Sequence, residues 1–336
     1  MVLLATLERC HPVKQILTTV ALVVVCVGAA VADTAARATA GHQRAGTERP
    51  GIRVAITVDD LPGGGPEVAG YTHVRIVREI IATLQAHHVQ HVVGFVVGSM
   101  VEGSPERRDA MNAWVQAGFE VGNHTYSHKK LDELGLDGYM QDILANRPIV
   151  DALQKQAGQA HAYFRFPYLE EGRNEQERNA LRRFLTAQHY TLARVSLGFD
   201  DTDWADPYLR CLQTGDTAAL ETLRQTYLDN ALAYLKWSRV AAREVFRRQI
   251  PQVLLLHANV PGAKNLDALL TAYEQAGVRF ISLEEALAEP AYTARYDLNG
   301  GSLFARASLR LARPTPPALV EPEALLELVC RCSQGS

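Results

Sequence analysis

The stretch Gly51–Pro62, GIRVAITVDDLP, decides the fold class of this chain. It begins with a short apolar run that is rich in β-branched residues, and it ends in two adjacent carboxylates, Asp59 and Asp60. An apolar run of this length predicts a buried strand, and polar residues directly after such a strand are typical of a functional site. The two aspartates therefore predict chemistry at the carboxyl end of a strand, although adjacent Asp residues before Leu-Pro-Gly could also simply begin a turn.

Outward from this strand, β-rich runs and helical patterns alternate along the chain. Six further strands are predicted at His91–Val97, Phe119–Asn123, Ala162–Phe166, Thr191–Ser196, Val253–His257 and Val278–Ile281. Apolar residues at helical spacing predict helices between them, among them Pro105–Ala117, Leu136–Gln156, Asn174–Gln188, Asn265–Ala276 and Leu283–Ala288. Such alternation predicts βαβ units, and hence an α/β fold with a parallel, barrel-like sheet of about seven strands.

The domain organisation follows from changes in this pattern. We assign residues 51–290 to the barrel-like domain and residues 291–336 to a less regular, loosely docked C-terminal extension. Residues 205–249 contain no clear strand and hold a long helical region, which predicts a helical insertion beside the site. Residues 33–50 are rich in Ala, Thr, Gly and Arg without apolar periodicity, which indicates a linker.

The N-terminal segment indicates export. Basic residues precede an uncharged run, Ile16–Ala32, and Ala30-Val31-Ala32 matches the small-x-small pattern of a cleavage site before Asp33. We therefore expect residues 1–32 to be a signal peptide and the protein to be periplasmic or secreted. The run also approaches membrane-spanning length, so an uncleaved membrane anchor stays open.

Composition excludes some classes of partner. The net charge of −3 provides no basic field for nucleic acid, and nothing in the sequence indicates a stable protein partner. Cleavage would leave three cysteines, Cys211, Cys330 and Cys332, and an odd count is a poor disulfide framework. We assign these cysteines no function.

Asp60, His124 and His128 form the candidate metal site. Two imidazoles and one carboxylate provide three ligands with open positions for water, as in catalytic metal sites, and the leftover Asp59 could act as a base. His124 and His128 in NHTYSH share one face if this segment is helical. Two surface histidines at this spacing are common, so the pair is a weak signal until Asp60 is added.

Three more groups follow predicted strands, and each also has an ordinary interpretation. Arg165 could orient a carboxylate and keep it ionised, although a surface arginine on a sheet edge would look the same. His257 could be a general acid or a satisfied core histidine. Trp204 in the acidic stretch FDDTDW suits a sugar-binding wall, whereas the acids alone would suit a solvated turn.

Five motifs in this order resemble the polysaccharide deacetylase family, also called the NodB-homology domain or carbohydrate esterase family 4. They are TVDD, HTYSH, RFPY, DDTDW and LLLH, and the resemblance covers about Arg53 to Leu287. Leu169 stands where the third motif usually has Gly. The resemblance implies a distorted, incomplete (β/α)7 barrel of the NodB type, here with the helical insertion.

The resemblance also implies roles for the residues. Asp60, His124 and His128 would hold a divalent metal, usually zinc, and the Tyr168 backbone N–H would help to stabilise an oxyanion. The acid–base groups would be Asp59 as the base and His257 as the acid, with Arg165 orienting Asp59 and Asp200 orienting His257. The residues implied to contact the substrate are Trp204, Leu255 and Pro167.

These features predict an exported, metal-dependent hydrolase that removes N-acetyl groups, or alternatively O-acetyl groups, from an acetylated glycan. The alternative is a metal- or glycan-binding module without catalysis. A barrel glycosidase is a poorer fit, because adjacent aspartates cannot easily flank a scissile bond from about 5 Å apart, and the histidines would have no role. The sequence does not distinguish peptidoglycan, chitin-like oligomers, exported polysaccharide or xylan.

Cleavage after Ala32 can be tested directly. We expect mass spectrometry of the protein from its native envelope to show Asp33 as the first residue, because Ala30 and Ala32 provide the small side chains that signal peptidases accept. A mature chain that still carries the Ile16–Ala32 run would instead support the membrane anchor.

Overall fold

The computed structural model describes residues 51–65, 67–68, 70–296 and 302–331. The predicted signal peptide (1–32) and linker (33–50) lie outside the described residues. No helix in the described ranges is both long enough and apolar enough to cross a membrane. The described residues belong to one compact unit.

The strands and helices alternate as the sequence predicts. The strands are β1 (Ile52–Leu61), β2 (Val93–Val96), β3 (Glu120–Asn123), β4 (Tyr163–Phe164), β5 (Thr191–Leu192), β6 (Gln252–His257) and β7 (Val278–Ile281). The first helices are α1 (His73–Ala86), α2 (Gly98–Glu102), α3 (Pro105–Gln116), α4 (Leu131–Ala157, interrupted at Gly135), α5 (Glu175–Ala187) and α6 (Ala205–Thr214). The others are α7 (Thr217–Phe246), α8 (Val260–Gln275), α9 (Leu283–Leu287), α10 (Pro290–Thr293), α11 (Leu303–Leu311) and α12 (Glu323–Leu328).

All seven strands run parallel in one sheet, in the order β5-β4-β3-β2-β1-β6, and β7 also pairs with β1. The segment after β5 reaches the opposite edge, because Leu197 forms a parallel bridge with Leu254 of β6. The N–H of Leu255 donates to the Leu197 carbonyl at 2.9 Å, so the two edges of the sheet meet along a short contact. The predicted fold, an incomplete and distorted (β/α)7 barrel, is confirmed.

β1 lies at the centre of the sheet and separates two environments. Val54, Ile56 and Val58 belong to the largest apolar cluster, which also includes side chains from α1, α3, α7 and α8. Since successive strand residues point to opposite faces, Thr57 and Asp59 point to the other side, the barrel interior. Both are buried there. The alternation of β1 thus directs one carboxylate inward before the strand ends.

The segment 205–249 is helical, as predicted, and contains α6 and α7. These helices are part of the barrel wall, because their buried residues, such as Leu223, Tyr227 and Leu235, pack in the main apolar cluster with α8. Burial of these large side chains makes the segment a structural layer of the domain rather than a separate cap.

The C-terminal extension is more firmly attached than the sequence predicts. Residues 302–331 include α11 and α12, and the Arg210 guanidinium donates to the Leu326 carbonyl at 2.6 Å. A disulfide joins Cys211 of α6 to Cys330, with Cα atoms 5.3 Å apart. The odd count of cysteines was therefore a misleading argument against a disulfide, because pairing depends on proximity in the fold and not on an even count. Cys332 lies outside the described residues.

Candidate active site

A local irregularity in β1 brings both aspartates to one site. Regular alternation would send Asp59 and Asp60 to opposite faces of the sheet. The pairing register of β1 with β2 shifts between Val58 and Leu61, and Asp60 has a φ of 61°. Asp is one of the few residue types that enter this left-handed region readily, and an irregularity of this kind re-aims a side chain at a strand end. Both carboxylates consequently lie near the same imidazole, that of His124.

Asp59 is held by a buried arginine. Arg165, at the end of β4, places its Nη1 2.7 Å from Asp59 Oδ1 and 2.7 Å from Thr57 Oγ1. Its Nε donates to the Ala193 carbonyl at 3.0 Å, and the guanidinium lies 4.3 Å from the centre of the Phe95 ring. Burial lowers the pKa of the Arg165 guanidinium, and the adjacent Asp59 charge opposes this. Arg165 is therefore an interior residue that orients Asp59, and not the surface arginine of the alternative interpretation.

The two predicted metal-ligating histidines lie in a loop and not on a helix. His124 follows β3, and both Thr125 and His128 have positive φ, 64° and 56°. The Thr125 Oγ1 accepts a hydrogen bond from the His128 N–H at 3.1 Å, which closes the turn. The condition for a shared helical face is therefore not met, because side-chain hydrogen bonds compete with helix formation here. The imidazole rings still meet, with centroids 5.0 Å apart.

Asp60, His124 and His128 form a compact group of possible metal ligands. Asp60 Oδ1 lies 3.4 Å from His124 Nε2 and 3.0 Å from His128 Nε2. Their ligand atoms all lie within 4.8 Å of one another, and the described part of the chain contains no second group of this kind. Asp60 Oδ1 is buried without a hydrogen bond of good geometry, which fits an oxygen meant for a cation.

Neighbouring groups set the tautomer of His124 and the ionisation of Asp60. The Nδ1 of His124 lies 2.9 Å from the Arg165 carbonyl oxygen, which can only accept, so Nδ1 carries the proton and Nε2 presents its lone pair. Burial alone would raise the pKa of Asp60, but the nearby imidazoles of His124 and His128 hold it well below its usual value. The donor set of one carboxylate and two imidazoles therefore fits a divalent metal such as zinc.

His257 lies beside Asp59 on the neighbouring strand. The two residues are direct partners in the parallel pairing of β1 and β6. His257 Nδ1 lies 2.7 Å from Asp201 Oδ1, and its backbone N–H donates to Asp201 Oδ2 at 2.9 Å. Burial by itself lowers the pKa of His257, but the Asp201 carboxylate outweighs this and raises it to about 10. The imidazole is therefore protonated at neutral pH and can donate a proton from Nε2.

The orienting carboxylate is therefore Asp201, and the assignment of this role to Asp200 was wrong by one residue. Asp200 has a φ of 50° and precedes a short 3-10 turn that begins at Asp201. That turn directs Asp201 inward, where it is buried, and leaves Asp200 outside. Two adjacent acids in DDTDW look alike in sequence, and only the backbone turn distinguishes them.

The residues expected to contact substrate lie in different environments. Trp204 has no exposed surface and packs against Tyr227, with ring centroids 5.6 Å apart, so its assignment to a substrate wall was wrong. Leu255 is half-buried on the same strand face as His257, whereas Pro167 is buried. Tyr168 is 54% exposed, and its ring centroid lies 4.8 Å from that of His128. The third motif thus reaches the metal-ligand group through Tyr168.

A buried pair of side-chain amides, Asn123 and Asn146, lies next to His124 and was not predicted from the sequence. Asn123 Oδ1 accepts from the Thr125 N–H at 2.8 Å and from Asn146 Nδ2 at 3.1 Å. Asn146 Nδ2 also donates to the Val96 carbonyl at 2.7 Å. These bonds tie the loop that carries His124 to β2 and α4. An asparagine inside an apolar helical pattern was the available signal.

Comparison with known proteins agrees with this geometry. Residues 46–184 match the family model described as "Polysaccharide deacetylase". This segment belongs to the polysaccharide deacetylase family. It contains the first three of the five motifs, and the family expected from them is confirmed.

One curated relative and two solved structures show how far the likeness extends. A peptidoglycan-N-acetylglucosamine deacetylase from Bacillus cereus is 28% identical over 151 residues, which is 45% of this chain and 46% of that protein. The chain thus matches less than half the length of this relative. A family 4 carbohydrate esterase from Streptomyces lividans is 19% identical, with 70% of this chain and 96% of that chain covered and a TM-score of 0.45. A pseudoenzyme of the same family from Bacillus anthracis is 16% identical, with 71% and 66% covered and a TM-score of 0.49.

The ligand assignment predicts that replacing His124 weakens the binding of a divalent metal ion. We expect His124→Ala to lose the bound divalent ion on dialysis, because a single imidazole and one carboxylate remain, while His87→Ala should keep it. His87 is a suitable control since it lies at the end of α1, where it contacts Asp267 and Glu274. Elemental analysis of the dialysed proteins measures the outcome, and full metal content in His124→Ala would refute the assignment.

The contact between His257 and Asp201 predicts a change in the pKa of the imidazole. In the metal-free protein, Asp201→Asn should lower the pKa of His257 by more than about one unit, because the charge that offsets burial is lost. Asp200→Asn should have a smaller effect, since Asp200 is not the hydrogen-bond partner. NMR titration of the His257 ring reports both values, and equal shifts in the two variants would contradict the assignment to Asp201.

Proposed function

We propose that this protein is a metal-dependent deacetylase that removes N-acetyl groups from a glycan. The observation that carries the proposal is the placement of Asp59 and His257 as partners on adjacent strands, beside the group formed by Asp60, His124 and His128. Metal-assisted amide hydrolysis requires a base, an acid and a set of metal ligands close together, here at the carboxyl ends of the strands.

Each group of residues has its own role in the proposed reaction. A divalent ion held by Asp60, His124 and His128, with zinc as our proposed metal, would polarise the acetyl carbonyl and lower the pKa of water. Asp59 Oδ1 is engaged by Arg165, so Oδ2, which lies 3.7 Å from His124 Nε2, is the oxygen that accepts a proton from the attacking water. Asp201 keeps the imidazole of His257 protonated and correctly turned.

The positions of Asp59, Tyr168 and His257 suggest the order of the proposed steps. Water attacks the acetyl carbon, and the backbone N–H of Tyr168 donates to the developing oxyanion. His257 protonates the departing nitrogen from Nε2, the C–N bond breaks, and acetic acid and a free amine are the products. At that point Asp59 carries the proton taken from the water and His257 is neutral, and return of one proton from Asp59 to His257 restores both groups. In net terms, water supplies the hydroxyl of the acid and one proton of the amine.

We place peptidoglycan first among the candidate substrates, because the curated relative from Bacillus cereus is named for peptidoglycan N-acetylglucosamine. Chitin-like oligomers, exported polysaccharide and xylan are the other members of the panel. Export of the protein to the envelope, for which the Ile16–Ala32 run is the support, would bring it to such glycans. O-acetyl esters are the secondary substrate class.

Acetate release from this panel tests the proposal. We expect release that a chelator abolishes and added zinc restores, and we expect Asp59→Asn to keep its metal but lose about 10² to 10⁴ in kcat, the range for a proton-transfer residue. His87→Ala is the matched control and should remain active. Stoichiometric metal without acetate release from any glycan would instead support the alternative, a metal- or glycan-binding module without catalysis.

A further inference from the structure

The loop after β4 has an unfavourable backbone conformation beside the site. Tyr168 and Leu169 both have positive φ, 57° and 55°, and neither is glycine. Two consecutive non-glycine residues in the left-handed region are rarely stable without outside support. The loop Phe166–Glu171 carries the Tyr168 N–H proposed as the oxyanion donor, so whatever supports this backbone also sets the direction of that donor.

Arg306 of α11 provides such support from the C-terminal extension. Its side chain is buried, and its Nη2 donates to the Leu169 carbonyl at 3.0 Å. Its Nη1 lies 2.5 Å from Glu171 Oε1. One planar guanidinium thus holds the loop at two points, the backbone of Leu169 and the side chain of Glu171. A fork of donors in one plane is well suited to this geometry.

Glu171 is the centre of a buried ionic cluster. Arg194 Nε lies 3.1 Å from Glu171 Oε1, and Arg182 Nη2 lies 3.5 Å from Oε2. Burial alone would raise the pKa of Glu171, but Arg194 and Arg306 lower it below its ordinary value. Glu171 is therefore ionised, and it keeps the Arg194 partner when Arg306 is replaced. Loss of Arg306 should accordingly leave the cluster paired and the domain folded.

The helix that carries Arg306 is itself firmly placed. The N–H of Leu303 donates to the Val195 carbonyl at 3.1 Å, where the chain leaves β5. Phe304 has no exposed surface and lies between Trp237 and Phe246 of α7, with both ring centroids 5.8 Å away. A donor on an element fixed by packing can impose its geometry on a neighbouring loop.

A small cavity connects this cluster with the arginine that orients the base. Its volume is about 20 Å³, room for about one water molecule, and Arg165 and Arg306 both line it, together with Leu169, Glu171 and Arg194. Arg165, which contacts Asp59, and Arg306, which contacts the Tyr168 loop, therefore line the same cavity.

We propose that Arg306 is a positioning residue that holds the Tyr168 peptide N–H in the direction required for oxyanion stabilisation. The C-terminal extension thereby becomes part of the catalytic apparatus, although it lies outside the five sequence motifs. This inference rests on the proposed deacetylase function. Arg306 acts through the loop backbone and does not touch the substrate, so its replacement should affect kcat far more than KM.

The test compares Arg306→Met with two controls. Arg310→Met lies on the exposed side of the same helix, and Arg182→Met removes a cation from Glu171 but not the hydrogen bond to Leu169. We expect Arg306→Met to lose about 10- to 100-fold in kcat, the scale of a small misplacement at a reacting centre, with metal content and KM near wild type. Both controls should stay within about threefold of wild-type kcat, since the loop contact is intact.

Hydrogen–deuterium exchange separates this inference from the proposed function. We expect faster exchange at residues 166–171 in Arg306→Met only, with the 123–128 loop unchanged. If wild-type protein releases no acetate from any glycan, the proposed function fails, and the exchange result still decides whether Arg306 holds the loop. Wild-type exchange at 166–171 together with wild-type kcat would overturn the inference.

A second variant covers the case in which Arg306→Met does not fold. Arg306→Lys keeps a cation for Glu171 but lacks the planar fork, so we expect a folded protein with an intermediate loss of kcat and intermediate exchange at 166–171. Wild-type behaviour of the lysine variant in both measurements would overturn the two-point role assigned to the guanidinium.

Discussion

The ion pair between Arg165 and Asp59 is the contact on which the site depends. Both side chains are almost fully buried, so neither charge could remain without the other. The guanidinium also bonds Thr57 of β1 and the Ala193 carbonyl beyond β5, and its own carbonyl accepts from His124. A single residue therefore connects Asp59, the imidazole of His124, β1 and the segment that follows β5. Burial of these charges carries a desolvation penalty in free energy. The hydrogen bonds of Arg165 offset that penalty when the strands place their partners correctly.

The electrostatics of the site follow from how its acids are distributed. Asp59 is opposed by Arg165, Asp60 by two imidazoles and Asp201 by His257. The closest partner of each carboxylate thus differs, although Asp59 and Asp60 are adjacent in the chain and both lie near His124. The environment of each acid is therefore set by its partners and not by its residue type.

The sequence predicts the order and type of the elements well, because apolar periodicity and Gly or Pro boundaries are local properties. β7 has the predicted bounds, and the strand ends that carry Asp60, His124, Arg165 and His257 do converge. What could not be predicted depends on backbone turns of one or two residues. The 3-10 turn at Asp201 selects one acid of a pair, and the packing of α7 covers Trp204. The contacts of Cys211 with Cys330 and of Arg306 with Leu169 join residues more than 100 positions apart, which periodicity does not detect.

The pairing of β1 with β6 has a consequence for how this scaffold can change. Because Asp59 and His257 are partners in that pairing, their spacing is set by the distance between neighbouring strands, about 4.8 Å, and not by any loop. Tyr168, whose ring centroid lies 4.8 Å from that of His128, comes instead from the connection after β4. Insertions and exchanges in such a connection can remodel the surface beside the site while the spacing of Asp59 and His257 stays constant. A scaffold that separates the two in this way can change its surface without disturbing the paired side chains.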